Sequence, residues 1–116
     1  MHFKMIIAVV RDDMTISVIN AARKSGATGA SVLNQVRGEG IQEAKTFFGL
    51  NLEQQRDMLI FLAEEHLSRK ILEKIAEVGK FDEHPGNGIA FQIDVEDAVG
   101  VARQVKLLSD VVEEEL

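Results

Sequence analysis

The sequence predicts a single α+β domain in which four antiparallel strands form one sheet and two helices cover one face of that sheet. Two observations support this prediction. Each half of the chain reads as a strand, an amphipathic helix, a glycine and another strand. The first strand of each half is an apolar run without polar alternation, which is typical of a strand buried on both faces. Two such units in tandem predict the ferredoxin-like βαββαβ sandwich.

The first half begins with a strand predicted over residues 3–10 and continues in a helix predicted over 15–25. Gly26 is expected to end this helix, because glycine enters the left-handed conformation of a helix end without a steric penalty. A second strand is predicted over residues 30–36. The half therefore reads as one βαβ unit.

The second half repeats the order, with a strand predicted over residues 58–63, a helix over 66–78 and a strand over 89–93. Gly79 is expected to end the helix in the same way as Gly26. The helix prediction rests on the spacing of one apolar face, which is formed by Leu67, Ile71, Ile75 and Val78.

The apolar strands lead to a prediction about assembly. Two helices cover only one face of a sheet, so the second face must be buried by something else. The C-terminal segment is one alternative, but it is short and ends in the acidic run 113–115. Another subunit is therefore favoured, and the sequence predicts an oligomer.

The residues that follow the second half predict a C-terminal extension. Residues 95–101 are expected to form a turn and a short fifth strand, and the extension over 103–116 is expected to be helical. The helical spacing is that of Val105, Leu108 and Val112.

Residues 39–55 have little periodicity and form an unusually long loop for so compact a domain. Phe47 and Phe48 lie in this loop. Aromatic side chains in a loop often mark a contact surface, so both residues are candidates for binding a partner. Packing back onto their own assembly is the alternative.

Composition narrows the classes of function. The chain has 116 residues, enough for one domain, and a formal net charge of -6, which disfavours a nucleic-acid partner. It has no cysteine, so disulfides, thiolate metal sites and cysteine nucleophiles are excluded. No apolar run approaches the roughly 20 residues that span a bilayer, and the start of the chain lacks the features of a signal peptide. We therefore expect a cytoplasmic protein without membrane insertion.

Two glycine-containing segments are candidates for binding a small anion. Gly38, Glu39 and Gly40 follow the second predicted strand, and backbone amides in such a turn can approach a phosphate or a carboxylate. Residues 79–88 are richer in glycine and add the cation Lys80. An ordinary turn is the alternative for both segments.

The order and spacing of these motifs resemble the PII signal-transduction (nitrogen regulatory protein P-II-like) family over nearly the whole chain. The resemblance rests on the Val-Arg-Gly-Glu-Gly turn at 36–40, the long loop after it, the Gly-Lys turn at 79–80 and the Gly-Asn-Gly-Ile-Ala-Phe strand at 86–91. It implies a homotrimer with adenine nucleotides (ADP, AMP or ATP) bound between subunits. It also implies that a T-loop controls a partner protein, such as a transporter or an enzyme.

The resemblance identifies residues 39–55 as a T-loop-like segment and 79–88 as a B-loop-like segment. Ser31 matches a hydroxyl residue that contacts the adenine. The remaining ligand-binding positions that the resemblance implies are Gly38, Glu39, Gly40, Gly79, Lys80, Gly86, Asn87 and Gly88.

The chain departs from the family at several phosphate-binding positions. Ile89 stands where the B-loop has a lysine, and Gly100 and Ala102 stand nearest to the places of two arginines. The chain has no tyrosine, so it has no T-loop tyrosine to uridylylate. These departures leave three alternatives for the effector: a nucleotide with less charge than ATP, a small anion, or no ligand at all.

Two other functions are open at the level of sequence. Glu39, Asp82 and Lys80 in a subunit cleft could serve a small enzyme, although no nucleophile or metal motif supports this and the chain is expected not to be an enzyme. The second alternative is a metal-binding or metal-tolerance-type trimer that uses His84 from three subunits. No two of the three histidines have helical metal spacing, so no metal site is expected within one chain.

Overall fold

A computed structural model describes residues 1–36, 55–84 and 86–113 with their side chains, and the backbone alone of 46–47, 50–51 and 114–115. The chain forms a four-stranded sheet, a separate two-stranded hairpin and three α-helices within these residues. In chain order the elements are β1 (Phe3–Arg11), α1 (Thr15–Lys24), β2 (Ala30–Leu33), β3 (Thr46–Phe47), β4 (Leu50–Asn51), β5 (Arg56–Glu64), α2 (Glu65–Val78), β6 (Gly88–Val95) and α3 (Ala102–Glu115).

The main sheet has the strand order β2-β5-β1-β6, and every neighbouring pair is antiparallel. This is the order of the ferredoxin-like sandwich, so the predicted fold class is confirmed. Ile6 and Phe61 are opposite each other in the register and are fully buried in one cluster with Val18 of α1 and Ile71 of α2. The core therefore lies between the two helices and one face of the sheet.

Several element boundaries differ from the predictions. β2 ends at Leu33, three residues before the predicted end, and β5 begins at Arg56, two residues before the predicted start. The fifth strand predicted within 95–101 is wrong, because Val95 ends β6 and residues 96–101 form bends and irregular backbone. The helical extension predicted over 103–116 is present as α3. Gly100, just before this helix, has a φ of +80°, a backbone conformation that favours glycine.

The two helix ends are built differently. Gly26 follows α1 with a φ of +120°, so glycine occupies a backbone conformation that disfavours other residues, as predicted. Gly79 has helical dihedral angles, and the left-handed residue is Lys80, with a φ of +55°. The expectation that Gly79 takes the left-handed conformation is therefore wrong. Its small size serves close packing instead, because a Cβ at Gly79 or Gly88 would overlap the ring of Phe81.

The second face of the sheet is only partly covered in the single chain. Val105 and Val112 of α3 line cavities with Phe3 and Glu64, so α3 packs over one end of this face. The middle of the face is half-buried apolar surface, and Ile93 is 45% exposed. The half-buried members there are Met5, Ile7, Met58, Ile60, Leu62 and Phe91. The C-terminal segment thus covers part of the face that was predicted to contact another subunit, and the described residues in the middle of that face stay only half-buried.

Asp94 on β6 accepts hydrogen bonds from His2 and from Lys4, the latter at 2.9 Å. Hydrogen bonding to His2, and then to Lys4, lowers the pKa of Asp94. A carboxyl whose pKa is lowered in the folded state contributes stability above the pKa of the unfolded chain, and that contribution is lost as the pH falls through the folded value.

We expect the carboxyl resonance of Asp94 to titrate below its ordinary value of 3.8 in an NMR pH titration. His2→Ala is expected to raise that midpoint, because it removes the larger cause of the shift. His84→Ala changes an exposed loop histidine and serves as the control. Equal midpoints in wild type and His2→Ala would contradict the assignment.

In the described part of the chain, no helix combines the length and the apolar character that crossing a bilayer requires.

Candidate functional site

The first residue of β5 is a buried arginine that holds the B-loop-like segment. The Arg56 residue is 1% exposed, although it carries a full charge. Its guanidinium donates to the carbonyl oxygens of Gly86 at 2.5 Å and Asn87 at 2.9 Å. Arginine is almost never fully buried unless it is paired, and its planar fork suits two neighbouring acceptors. Arg56 therefore fixes the end of the B-loop-like segment against the sheet.

The next residue, Asp57, holds two other parts of the same region. One carboxylate oxygen accepts from the hydroxyl of Thr15 at 2.6 Å, and the other accepts from the backbone amide of Gln35 at 3.4 Å. Gln35 has a φ of +56°, which is uncommon for a residue other than glycine. Asp57 thus joins the start of α1 to the chain that enters the T-loop-like segment.

Backbone hydrogen bonds bring the two ends of the T-loop-like segment together at the same place. The amide of Val36 donates to the carbonyl of Arg56 at 2.8 Å, and the amide of Asp12 donates to the carbonyl of Gln55 at 3.3 Å. We call residues 35–36 and 55–57 the loop base. The loop base contacts α1 on one side and the B-loop-like segment on the other.

Two arginines and an acidic residue lie close together at the loop base. Arg11 is directly opposite Arg56 in the β1–β5 register and donates to Asp13 at 2.6 Å. Burial, and then the like charge of Arg11, lower the pKa of Arg56, while Asp13 acts in the opposite direction. The Arg11 side chain is 43% exposed, so it offers a solvent-accessible cation beside the loop base.

The B-loop-like segment is closed by hydrogen bonds of its own. Asn87 donates its backbone amide to the carbonyl of His84 at 3.1 Å and its side-chain amide to the carbonyl of Lys80 at 3.3 Å. Gly86 has a φ of +86°, which makes glycine the favoured residue there. The segment is thus a compact turn with Asn87 as its brace.

Lys80 lines a groove of about 480 Å³ between α2, the B-loop-like segment and β6. The groove also contains Arg69 and four acidic residues, so its titratable lining has a formal charge of -2. The acidic members are Glu73, Glu77, Asp82 and Glu83. Lys80 and Asp82 therefore line one groove of the single chain, whereas Glu39 lies outside the described residues. The subunit cleft of the enzyme alternative stays a prediction.

Ser31 lies elsewhere on the molecule. It is exposed on β2 and lines a pocket of about 280 Å³ with Thr28, Ile60 and Gln104, among others. β2 and β6 are the two edges of the sheet, with β5 and β1 between them. At about 4.8 Å per strand spacing, the edges are roughly 14 Å apart. One chain therefore does not bring Ser31 and the B-loop-like segment together.

The comparison with known families rests on nearly the whole of this fold. The family model described as Nitrogen regulatory protein P-II matches residues 3–106. The chain belongs to the PII family. The match includes the sheet, α1, α2 and the loop base, and it ends within α3. No curated protein matches the chain.

Solved structures of PII-like proteins show the same fold at low sequence identity. A putative PII-like signalling protein from Thermus thermophilus is 21% identical, with a TM-score of 0.59, and the match covers 81% of this chain and 86% of that one. The apo form of CPII from Thiomonas intermedia, a nitrogen regulatory PII-like protein, is 16% identical, with a TM-score of 0.62 and coverages of 82% and 90%. CPII from the same organism bound to ADP, AMP and acetate is 19% identical, with a TM-score of 0.59 and coverages of 83% and 90%.

The structure describes some of the residues that the family resemblance implies as ligand-binding, and not others. Gly79, Lys80, Gly86, Asn87 and Gly88 lie together in one turn. The turn at Gly38, Glu39 and Gly40, together with Phe48, lies outside the described residues. Phe47 pairs with Leu50 in the β3–β4 hairpin, within the predicted T-loop-like segment.

Sequence reasoning missed Arg56, Asp57 and Thr15. Arg56 and Asp57 precede the apolar run of β5, so they read as the solvated end of a loop. The signal that was available is their order: a basic and an acidic residue lie directly between a long loop and a buried strand. Their partners are more than 20 residues away in sequence, so only the fold shows that they are buried and bonded.

Glu64, Glu65 and His66 place possible metal ligands within 4.8 Å of one another. The Glu64 carboxylate already accepts from the backbone amide of His66 at 2.9 Å and contacts its ring nitrogen at 2.5 Å. It acts as the N-cap of α2, where the helix dipole favours a negative charge over a cation. The arrangement is explained as a helix cap. The metal alternative through His84 stays a prediction, and His84 is exposed.

Proposed function

We propose that the chain is a cytoplasmic, homotrimeric PII-type regulator that binds a small effector between subunits and controls a partner protein through the T-loop-like segment. The effector class is an adenine nucleotide (ADP, AMP or ATP) or a small anion. The partner class is a transporter or an enzyme. Membership of the PII family supports the signalling role.

The observation that supports the shared site best is the separation of its parts. Ser31 is at one edge of the sheet, and the B-loop-like segment is at the other. Packing the open second face of one chain against its neighbours would bring the edge of one subunit near the opposite edge of the next. A complete site would then form only in the assembly.

Arg11 supports an anionic effector. The positions that carry phosphate-binding cations in the family are Ile89, Gly100 and Ala102 here. Arg11 is paired with Asp13 but is 43% exposed, so it supplies one accessible cation at the loop base. The acidic groove around Lys80 opposes a highly charged anion. ADP, AMP or a carboxylate therefore fits this site better than ATP. CPII, a PII-like protein of similar fold, has been solved bound to ADP, AMP and acetate.

We expect ADP or AMP to raise the melting temperature of the purified protein by several degrees when present at about a hundred times Kd, because a ligand that binds only the folded state stabilises it. The panel is ADP, AMP, ATP, bicarbonate, acetate and 2-oxoglutarate, each titrated in a thermal-shift assay. Arg11→Gln is expected to reduce the response at least severalfold. Arg23→Gln, which changes an exposed arginine on α1, is the control.

The absence of a shift for every compound at millimolar concentration would refute effector binding. A shift that is equal in wild type and Arg11→Gln would refute the role of Arg11 and leave effector binding intact.

A further inference from the structure

The loop base connects three segments that lie far apart in the sequence. Arg56 bonds to the carbonyls of Gly86 and Asn87, and its backbone carbonyl accepts from Val36. Asp57, the next residue along β5, bonds to Thr15 and Gln35. Both side chains are nine-tenths buried or more, at 1% and 8% exposure. Neither is on the exposed lining where an effector would be bound.

We propose that Arg56 and Asp57 are positioning residues that couple the B-loop-like segment to both ends of the T-loop-like segment, so that loosening the B-loop-like segment loosens the loop base and the reverse. The proposal rests on the proposed function for its biological purpose. The coupling itself is a property of the folded chain and is measurable without any effector.

The physical basis is the cost of breaking these contacts separately. If Gly86 and Asn87 moved away, a buried guanidinium would lose two acceptors in an environment that already lowers its pKa. If Gln35 and Val36 moved away, Asp57 and the backbone of Arg56 would lose partners as well. Arg56 and Asp57 are consecutive in β5 and are both paired with β1, so a shift of one displaces the other. Loosening at either loop is therefore transmitted to the opposite one.

Hydrogen–deuterium exchange of the effector-free protein tests the coupling in both directions. Arg56→Lys keeps the charge but removes the planar fork. It is expected to speed exchange by about tenfold at Gly86–Gly88 and also at Gln35 and Val36. A factor of about ten corresponds to one lost charge-assisted hydrogen bond. Thr15→Val removes one donor to Asp57 without removing any group that contacts the B-loop-like segment. It is expected to speed exchange at Gly86–Gly88 nonetheless.

Two controls separate coupling from general loss of stability. The amides of Ile71 and Ile75, in the core of α2, exchange by global unfolding, so any increase in their rates measures the general loss of stability in each variant. Arg23→Lys is the matched arginine substitution at an exposed position and is expected to change none of these rates. If Arg56→Lys does not fold, Thr15→Val and Asp57→Asn carry the test.

Faster exchange confined to the loop nearest each substitution would overturn the proposal, because it would show that the two loops are held independently. A second measurement adds ADP. We expect ADP to protect residues 46–55 in wild type, and to protect them at least severalfold less in Arg56→Lys when each protein is saturated. If ADP does not bind wild type, nucleotide sensing fails, while the effector-free exchange data still decide the coupling.

Discussion

Replacing Ile60 with glutamate is expected to convert the proposed trimer into single chains of 12.8 kDa. Ile60 lies in the middle of the second face, opposite Ile7 in the register, and both are half-buried in the single chain. A carboxylate there reaches water in the free chain. In an assembly it would be buried without a partner, at a cost of about 3–5 kcal/mol for each subunit.

Sedimentation velocity of the wild type and of Ile60→Glu measures this effect. Ile16→Glu is the matched control, because Ile16 is 75% exposed on α1 and lies away from the second face. A wild type that sediments as a single chain at micromolar concentration would refute the trimer. An Ile60→Glu variant that keeps the wild-type mass would show that assembly uses a different surface.

Arg56→Ala is expected to lower the free energy of unfolding by about 3–5 kcal/mol, because it removes two hydrogen bonds from a charged group at about 1.5–3 kcal/mol each. The substitution leaves the carbonyls of Gly86 and Asn87 without their donors and opens a space at the loop base. Because a domain of this size has a total stability of about 5–15 kcal/mol, the effect is a large part of the whole.

Urea unfolding followed by circular dichroism measures the loss, at one protein concentration so that assembly is held constant. Arg23→Ala removes an exposed arginine and is expected to cost less than about 0.5 kcal/mol. Similar costs for the two substitutions would show that Arg56 does not stabilise the loop base.

Much of the fold was predictable because its signals are local. The apolar stripe of α2, which includes Leu67 and Ile71, and the turn residue Gly26 each act within a few residues of the chain. The end of β2 and the start of β5 were less predictable. Arg56 and Asp57 are polar, and they extend the strand only because their side chains find partners in other segments.

The sequence proposes the parts of the candidate site, and only the structure gives their arrangement. The glycines of the B-loop-like segment and Ser31 were identified by their order along the chain. Their positions on opposite edges of the sheet follow from the strand order, which sequence periodicity does not encode. The left-handed conformation expected at Gly79 was also wrong. What restricts this position is the ring of Phe81, which lies against Gly79 because of the fold of the whole turn.

The sequence by itself determined the α+β class, the two repeated units and the family. It also determined that the strands are too apolar for two helices to bury both faces of the sheet. Those properties depend on residue type and short-range spacing. Only the tertiary structure decided that α3 shares in covering the second face, and that Arg56 and Asp57 join the two loops. Burial and hydrogen bonding between segments far apart in the chain depend on where the fold brings them, and no local pattern records that.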